Sequence, residues 1–148
     1  MALNADIIVY ARDRRLALAV EITSLSEPIQ DVIATRRHLV MHPLFPRASF
    51  FLLVNPSSMF LWREETLSIA PPDYEVSADA VVNYLLGQES RKWEMTQGEL
   101  EIIVLHWLGT IVNGLREADP ASPPEQMLIE SGLYELIRNG DLQFDTES

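Results

Sequence analysis

The chain has 148 residues, no cysteine and a net charge of −11. A chain of this length can bury roughly 70% of its unfolded surface in one domain, and the lack of cysteine excludes disulfides and thiolate metal sites. The N-terminus lacks the basic and apolar regions of a signal peptide, and no apolar run approaches the ~20 residues that span a bilayer, so we expect a cytoplasmic protein without a membrane segment.

The charge is unevenly distributed along the chain. Residues 1–63 carry seven arginines against five acids, whereas residues 64–148 carry four basic residues against seventeen acids. Phosphate binding needs a basic surface, so only the N-terminal half is a candidate for contact with nucleic acid. The simpler interpretation is that the acids form a solvated surface. Lys92 is the single lysine, so a mechanism that needs an ammonium group has one candidate.

The N-terminal half has the pattern strand, strand, helix, strand, strand. The predicted ranges are 6–10, 15–23, about 28–42, 49–55 and 58–63. The second strand alternates large apolar residues with mostly small ones, which predicts a strand buried on both faces. The order of elements therefore predicts an α/β sheet with a helix on one face.

Two helices are predicted next. Ser77 can cap a short helix that ends at Gly87, and a polar linker follows it. Thr96 and Glu99 have the spacing of a capping box in front of a helix over residues 97–113. This second helix is apolar nearly all round, so part of its surface either meets a second subunit, giving a homodimer through residues 97–113, or is covered by the sheet and the last helix.

The C-terminal segment predicts one more helix. Ser122 and Glu125 repeat the capping-box spacing, and the helix is expected to end before Gly140. Residues 141–148 are expected to form a loose acidic end. The predicted organisation is a single domain over 1–148, with a sheet core at 1–63 and a helical extension at 78–140.

Two carboxylates fall where the first two strands would bring them together. Asp6 begins the first strand and Glu21 ends the second, so an antiparallel hairpin places both side chains at one end of the sheet. With the backbone carbonyl of Ile22 they form an oxygen cage suited to Mg²⁺ or Mn²⁺. Thr23 lies on the same face as Glu21, because side chains alternate along a strand.

These residues resemble the PD-(D/E)xK nuclease superfamily, in particular small bacterial proteins of that fold. Asp6 matches the family's aspartate and Glu21 its glutamate, and a helix and a strand with the sequence FFLLVN follow. Ala5 stands where the family has proline, and Thr23 stands at the lysine position. The resemblance covers about residues 5–63.

The resemblance implies a restriction-endonuclease-like mixed sheet and a metal-dependent phosphodiesterase site with Asp6 and Glu21 as ligands. Family members usually begin with a helix that brings a further acid, whereas only five residues precede Asp6 here. Arg36 or Arg37 on the following helix could neutralise phosphate charge in place of the lysine. Arginine stays protonated and cannot accept a proton, and the other interpretation of this pair is a solvated helix face.

Three hypotheses follow. The favoured one is a PD-(D/E)xK-like protein whose site has degenerated, with Thr23 at the lysine position. The second is a divergent Mg²⁺-dependent nuclease that uses Asp6 and Glu21, with Arg36 or Arg37 replacing the lysine. The third is a non-enzymatic module that dimerises or binds a protein partner through residues 97–113.

Overall fold

The computed structural model describes residues 5–86 and 95–144 as a six-stranded mixed sheet with helices packed on it. The strands are β1 (Ile7–Tyr10), β2 (Leu16–Ile22), β3 (Phe50–Val54), β4 (Ser58–Arg63), β5 (Tyr74–Ser77) and β6 (Asp141–Phe144). The helices are α1 (Ile29–Val40), α2 (Asp79–Leu86), α3 (Gln97–Val112), α4 (Pro123–Ser131) and α5 (Leu133–Ile137). The mixed α/β class and the predicted order of the first five elements are confirmed.

The strand order is β5-β4-β3-β2-β1-β6. Only β2 and β3 pair in parallel, with Leu18 opposite Phe50 and Ile22 opposite Val54, and the other four pairs are antiparallel. A parallel pair needs a crossover connection, and α1 supplies it.

The sheet has an apolar layer on each face. On one face α1 packs over a cluster that contains Ala19, Val32 and Trp62. On the other face the C-terminal helices cover a larger cluster that contains Val20 and Trp107. The prediction that β2 is buried on both sides is therefore confirmed. Trp62 and Trp107 lie in these two clusters and are 0% and 1% exposed.

Two short strands, β5 and β6, lie in parts of the chain where the sequence pattern did not predict a strand. β5 alternates half-buried and exposed residues, and β6 is mostly exposed, so neither carries the apolar run that marks an inner strand. The expectation of a loose end is wrong for residues 141–144, which pair with β1. Gly140 permits this approach, because a Cβ there would lie 2.1 Å from the carbonyl oxygen of Tyr10.

The two predicted capping boxes have different outcomes. At the start of α3 the Thr96 hydroxyl accepts from the Glu99 amide at 3.2 Å, and the Glu99 carboxylate accepts from the Thr96 amide at 3.1 Å, as expected. The second capping box is wrong, because Ser122 makes no side-chain cap. The helix that it was to begin also breaks at Gly132, which has a φ of 87° and separates α4 from α5. Gly87 and Lys92 lie outside the described residues.

Glu125 is instead the centre of a buried polar cluster. Its carboxylate accepts two hydrogen bonds from the Arg116 guanidinium, at 2.8 and 2.7 Å, and one from Trp107 Nε1 at 3.0 Å. The Asp119 amide donates a fourth at 2.8 Å. Burial raises the pKa of Glu125, but these hydrogen bonds outweigh it and leave the pKa below its ordinary value. The cluster ties α3 to α4 through the loop between them.

Replacing Glu125 should therefore cost substantial stability. We expect Glu125→Ala to lower the free energy of unfolding at neutral pH by about 2–4 kcal/mol, because it leaves Arg116 and the Trp107 N–H without this acceptor. The loss should shrink as the pH falls, since a carboxylate with a lowered pKa contributes stability only where it is ionised. Urea denaturation measures both effects. The exposed Glu117→Ala is the control, and equal stability of the two variants would contradict the role of Glu125.

Candidate functional site

The β1–β2 hairpin brings Asp6 and Glu21 to the same end of the sheet. The Asp6 amide donates to the Val20 carbonyl at 2.9 Å, and the Ile22 amide donates to Asp6 Oδ2 at 2.8 Å. Asp6 therefore caps the hairpin with its side chain, which holds its carboxylate beside the last residues of β2. The position of this carboxylate is fixed by backbone pairing and not by a flexible loop.

Glu21 lies at the carboxyl ends of β2 and β3, in a cavity of about 180 Å³. Ligands of open α/β sheets commonly bind outside the carboxyl ends of the strands. The Glu21 carboxyl is half-buried and forms no hydrogen bond or ion pair with the described residues. Burial, together with the negative charges of Asp6 and Glu101, raises its pKa from 4.5 to about 8. Glu21 is thus a carboxyl whose surroundings disfavour its ionised form.

Thr23 occupies the same cavity. Its amide donates to the Val54 carbonyl at 3.0 Å, which extends the contact between β2 and β3, and its hydroxyl accepts from the Leu25 amide at 3.2 Å. The lining contains no lysine, arginine or histidine of the described chain; it consists of Glu21, Ile22, Thr23, Leu25, Glu27, Val32, Thr35, Leu53, Asn55 and Gln97. The position matched to the family's lysine therefore offers a hydroxyl and no positive charge.

Arg36 lies elsewhere. It is 3% exposed, and its guanidinium donates to the carbonyls of Leu67 and Thr66 at 2.9 and 3.0 Å and lies 5.2 Å from the centre of the Trp62 ring. Arg36 does not line the Glu21 cavity, because it occurs one turn of α1 beyond Val32, toward the opposite end of the strands. The interpretation as a solvated helix face is wrong for Arg36 and holds for Arg37, which is exposed.

Two further residues belong to this end of the sheet. Glu101, half-buried in the first turns of α3, lines a cavity of about 170 Å³ together with Asp6. Asn55 is 2% exposed, lines the Glu21 cavity and accepts from the amides of Ser57 and Ser58 at 2.8 Å each. Local patterns could not reveal Glu101, because its position depends on how α3 packs on the sheet. The turn sequence NPS was the available signal for Asn55.

The donor chemistry at this end fits a hard divalent cation. Asp6, Glu21 and the Ile22 carbonyl offer only oxygen, which Mg²⁺ and Mn²⁺ prefer. The Glu21 carboxyl has two acidic neighbours and no positive partner in the described chain, so a cation would relieve unfavourable charge. Within residues 5–86 and 95–144, no three His, Cys, Asp or Glu residues are close enough together to form a metal site. The two carboxylates are thus a partial ligand set.

Comparisons of the chain with protein-family models, with curated proteins and with solved structures find no match. None of the helices in the described part of the chain has the length and apolar character needed to cross a bilayer.

The raised pKa of Glu21 predicts a specific pH dependence in metal-free buffer. Well below pH 4.5 the carboxyl is protonated in both the folded and the unfolded chain. As the pH rises to about 8, the unfolded chain releases the proton while the folded protein retains it, so wild-type stability falls. Glu21→Gln avoids this loss. We expect the variant to gain about 2–3 kcal/mol over wild type across this interval, after discounting for solvent screening.

Urea denaturation at a series of pH values in the presence of a chelator measures this difference. Glu27→Gln removes an exposed carboxylate from the same cavity and controls for the loss of one negative charge. If the difference in free energy of unfolding between Glu21→Gln and wild type did not change with pH, the result would contradict the burial of an uncompensated carboxyl at Glu21.

Proposed function

We propose that this protein is a PD-(D/E)xK nuclease-like protein with a degenerate active site. It keeps a weak divalent-cation site at Asp6, Glu21 and the Ile22 carbonyl and lacks efficient phosphodiester hydrolysis. One observation carries the proposal: the hairpin holds the two acids at one sheet end, while the adjacent cavity has Thr23 and no basic residue of the described chain.

The topology supports the restriction-endonuclease-like part of this proposal. The order strand, strand, helix, strand, strand surrounds a parallel β2–β3 pair, and the two acids lie at its carboxyl end. The resemblance also implies a helix that brings a further acid to the site. Glu101 on α3 supplies an acid whose charge raises the pKa of Glu21, although it comes from a later helix in the chain.

The side chains present explain why hydrolysis would be inefficient. A cation bound there would neutralise charge on a phosphodiester and activate a water. A nuclease also needs a group that stabilises the developing oxyanion. The Thr23 hydroxyl carries no positive charge and already accepts from Leu25, and the Arg36 guanidinium is occupied by backbone carbonyls. Neither Arg36 nor Arg37 lines the Glu21 cavity, so the second hypothesis, a divergent nuclease in which Arg36 or Arg37 replaces the lysine, has no support from the positions of these residues.

Cation binding is the first test. We expect Mn²⁺ to raise the melting temperature of the wild-type protein, because a ligand that binds only the folded state adds about 2.7 kcal/mol at 100 times its Kd. Asp6→Asn should abolish this shift, since it removes a ligand charge. Glu75→Gln, an exposed carboxylate on β5, should leave it unchanged. Equal Mn²⁺ shifts in all three proteins would reject the site.

Restoring the missing lysine is the second test. We expect wild-type protein to leave a supercoiled plasmid intact in Mg²⁺ or Mn²⁺, and Thr23→Lys to introduce metal-dependent nicking. Thr23→Lys combined with Asp6→Asn should be inactive, because the lysine alone does not bind the cation. Nicking by purified wild-type protein that Asp6→Asn abolishes would contradict degeneration and favour an active enzyme.

A homodimer through residues 97–113 is a second proposal, and an exposed apolar surface favours it. Ile102 is 65% exposed and Phe144 53% exposed, and both line one cavity with the half-buried Leu105. We call these three residues the α3 patch. Trp107 is not part of it, because the ring is 1% exposed in the core.

The patch predicts that Ile102→Asp shifts the protein from dimer to monomer. Burying a carboxylate in an apolar interface without a partner is unfavourable, whereas the same change at an exposed position costs little in the monomer. Light scattering coupled to size exclusion measures the mass. Ile69→Asp, at a residue 64% exposed elsewhere, is the control. A wild-type protein that is monomeric at high concentration would reject the dimer.

A further inference from the structure

A second cavity lies on the α1 face, at the opposite end of the strands from Glu21. It has a volume of about 240 Å³ and lies where α1 ends, next to Ala19 of β2 and Phe51 of β3. A cavity of about 150 Å³ is known to hold a benzene ring, so this one has room for a ring and a small polar group. The small side chain of Ala19 helps to leave this space open.

The inner wall of the cavity is aromatic. The rings of Phe45 and Phe51 both line it, with centroids 5.7 Å apart and an interplanar angle of 47°. Phe51 in turn packs edge to face on the buried Trp62 ring at 5.7 Å. Rings held this way offer a preformed surface for another aromatic ring, which favours offset or edge-to-face contacts.

The lining is positively charged, although the chain as a whole carries −11. Arg36, Arg47 and Arg63 line the cavity against one acid, Glu64. The Arg63 guanidinium donates to the Tyr74 hydroxyl at 3.2 Å and lies 5.5 Å from the centre of the Tyr74 ring, and these contacts leave its positive charge in place.

Two of these arginines contribute positive charge toward an anion at the rim. The Arg36 guanidinium is buried and its Nε has no hydrogen-bond partner in the described chain, while burial lowers its pKa and the negative charge of Asp73 raises it. Arg47 is exposed at the rim and forms no hydrogen bond or ion pair with the described residues. An anion at this rim would be stabilised by both positive charges. It would contact Arg47 directly, and it would be attracted by Arg36 across the protein interior, where the low dielectric strengthens the Coulomb interaction.

We propose that this cavity binds a small aromatic carboxylate. The ring packs on Phe45 and Phe51, and the carboxylate lies at the rim against the Arg47 guanidinium, with the Ser68 side chain also on the lining. The site combines an apolar floor with a few polar groups at its mouth, as small-molecule sites commonly do. It is distinct from the proposed cation site, because the lining of this cavity shares no residue with the lining of the Glu21 cavity.

Benzoate is the probe, and isothermal titration calorimetry on the full chain is the measurement. We expect a Kd on the order of 0.1 to 1 mM for so small a ligand. Benzyl alcohol, which keeps the ring and lacks the charge, should bind at least about tenfold more weakly. Inorganic phosphate, which has the charge and lacks the ring, should not displace benzoate at similar concentration.

Two rim variants test the charges separately, and both residues are exposed, so the fold should tolerate them. Arg47→Gln should weaken benzoate about threefold to tenfold, and Glu64→Gln should tighten it by a similar factor. Arg138→Gln removes one positive charge next to Tyr134, away from the cavity, and should leave the Kd unchanged. Ala48→Leu, which fills the cavity from its half-buried edge, should abolish binding.

Several outcomes would overturn the proposal. The proposal is wrong if benzoate does not bind, or if benzyl alcohol binds with equal affinity. It is also wrong if phosphate fully displaces benzoate, or if Arg47→Gln and Ala48→Leu leave the affinity for benzoate unchanged. Asp6→Asn distinguishes this proposal from the cation site, because it should lose the Mn²⁺ response and keep benzoate binding.

Discussion

The enclosure of β2 on both faces is the constraint on which the rest of the structure depends. Leu18, Ala19 and Val20 are each at most 1% exposed, so this strand needs apolar cover above and below the sheet. Its parallel pairing with β3 forces the chain across one face, and α1 provides the cover there. The apolar cover of the other face forms only when α2 to α5 have packed against the sheet. Both helical layers are therefore required by the same seven residues of β2.

The enclosure also explains where chemistry can occur. Charged groups are costly within the covered part of the sheet, so they collect where α1 begins and where it ends. The first end has Glu21 and Asp6, and the second has Arg36 and Arg47. One helix thus lies over both an acidic cavity and a basic one on the same face of the sheet.

Local patterns in the sequence predicted what local physics determines. Apolar runs identified β1 to β4, the predicted helix over about 28–42 matches α1, and the Thr96 and Glu99 spacing predicted a capping box that forms. The pairing of the first two strands also follows from their sequence, and with it the neighbourhood of Asp6 and Glu21. These features need no information about distant parts of the chain.

The rest depends on contacts between residues far apart in sequence. Glu125 has the spacing of a cap but instead binds Arg116 and Trp107, a choice made by tertiary packing. Arg36 looks like a surface residue until the 63–67 segment wraps over it and supplies carbonyl acceptors. Glu101 reaches the sheet end only through the docking of α3. Short exposed strands such as β5 and β6 lack a local signal, because backbone pairing with a neighbour defines them.

The pairing of β6 with β1 has a consequence for how the protein folds. Ile7 lies opposite Phe144, so β1 pairs with the described strand that is farthest from it in the sequence. Contacts so distant in sequence form slowly. Until β6 pairs, the open edge of β1 exposes unpaired backbone groups, which invite association with other chains. The interval before this pairing is therefore a period in which the partly folded chain is prone to aggregation.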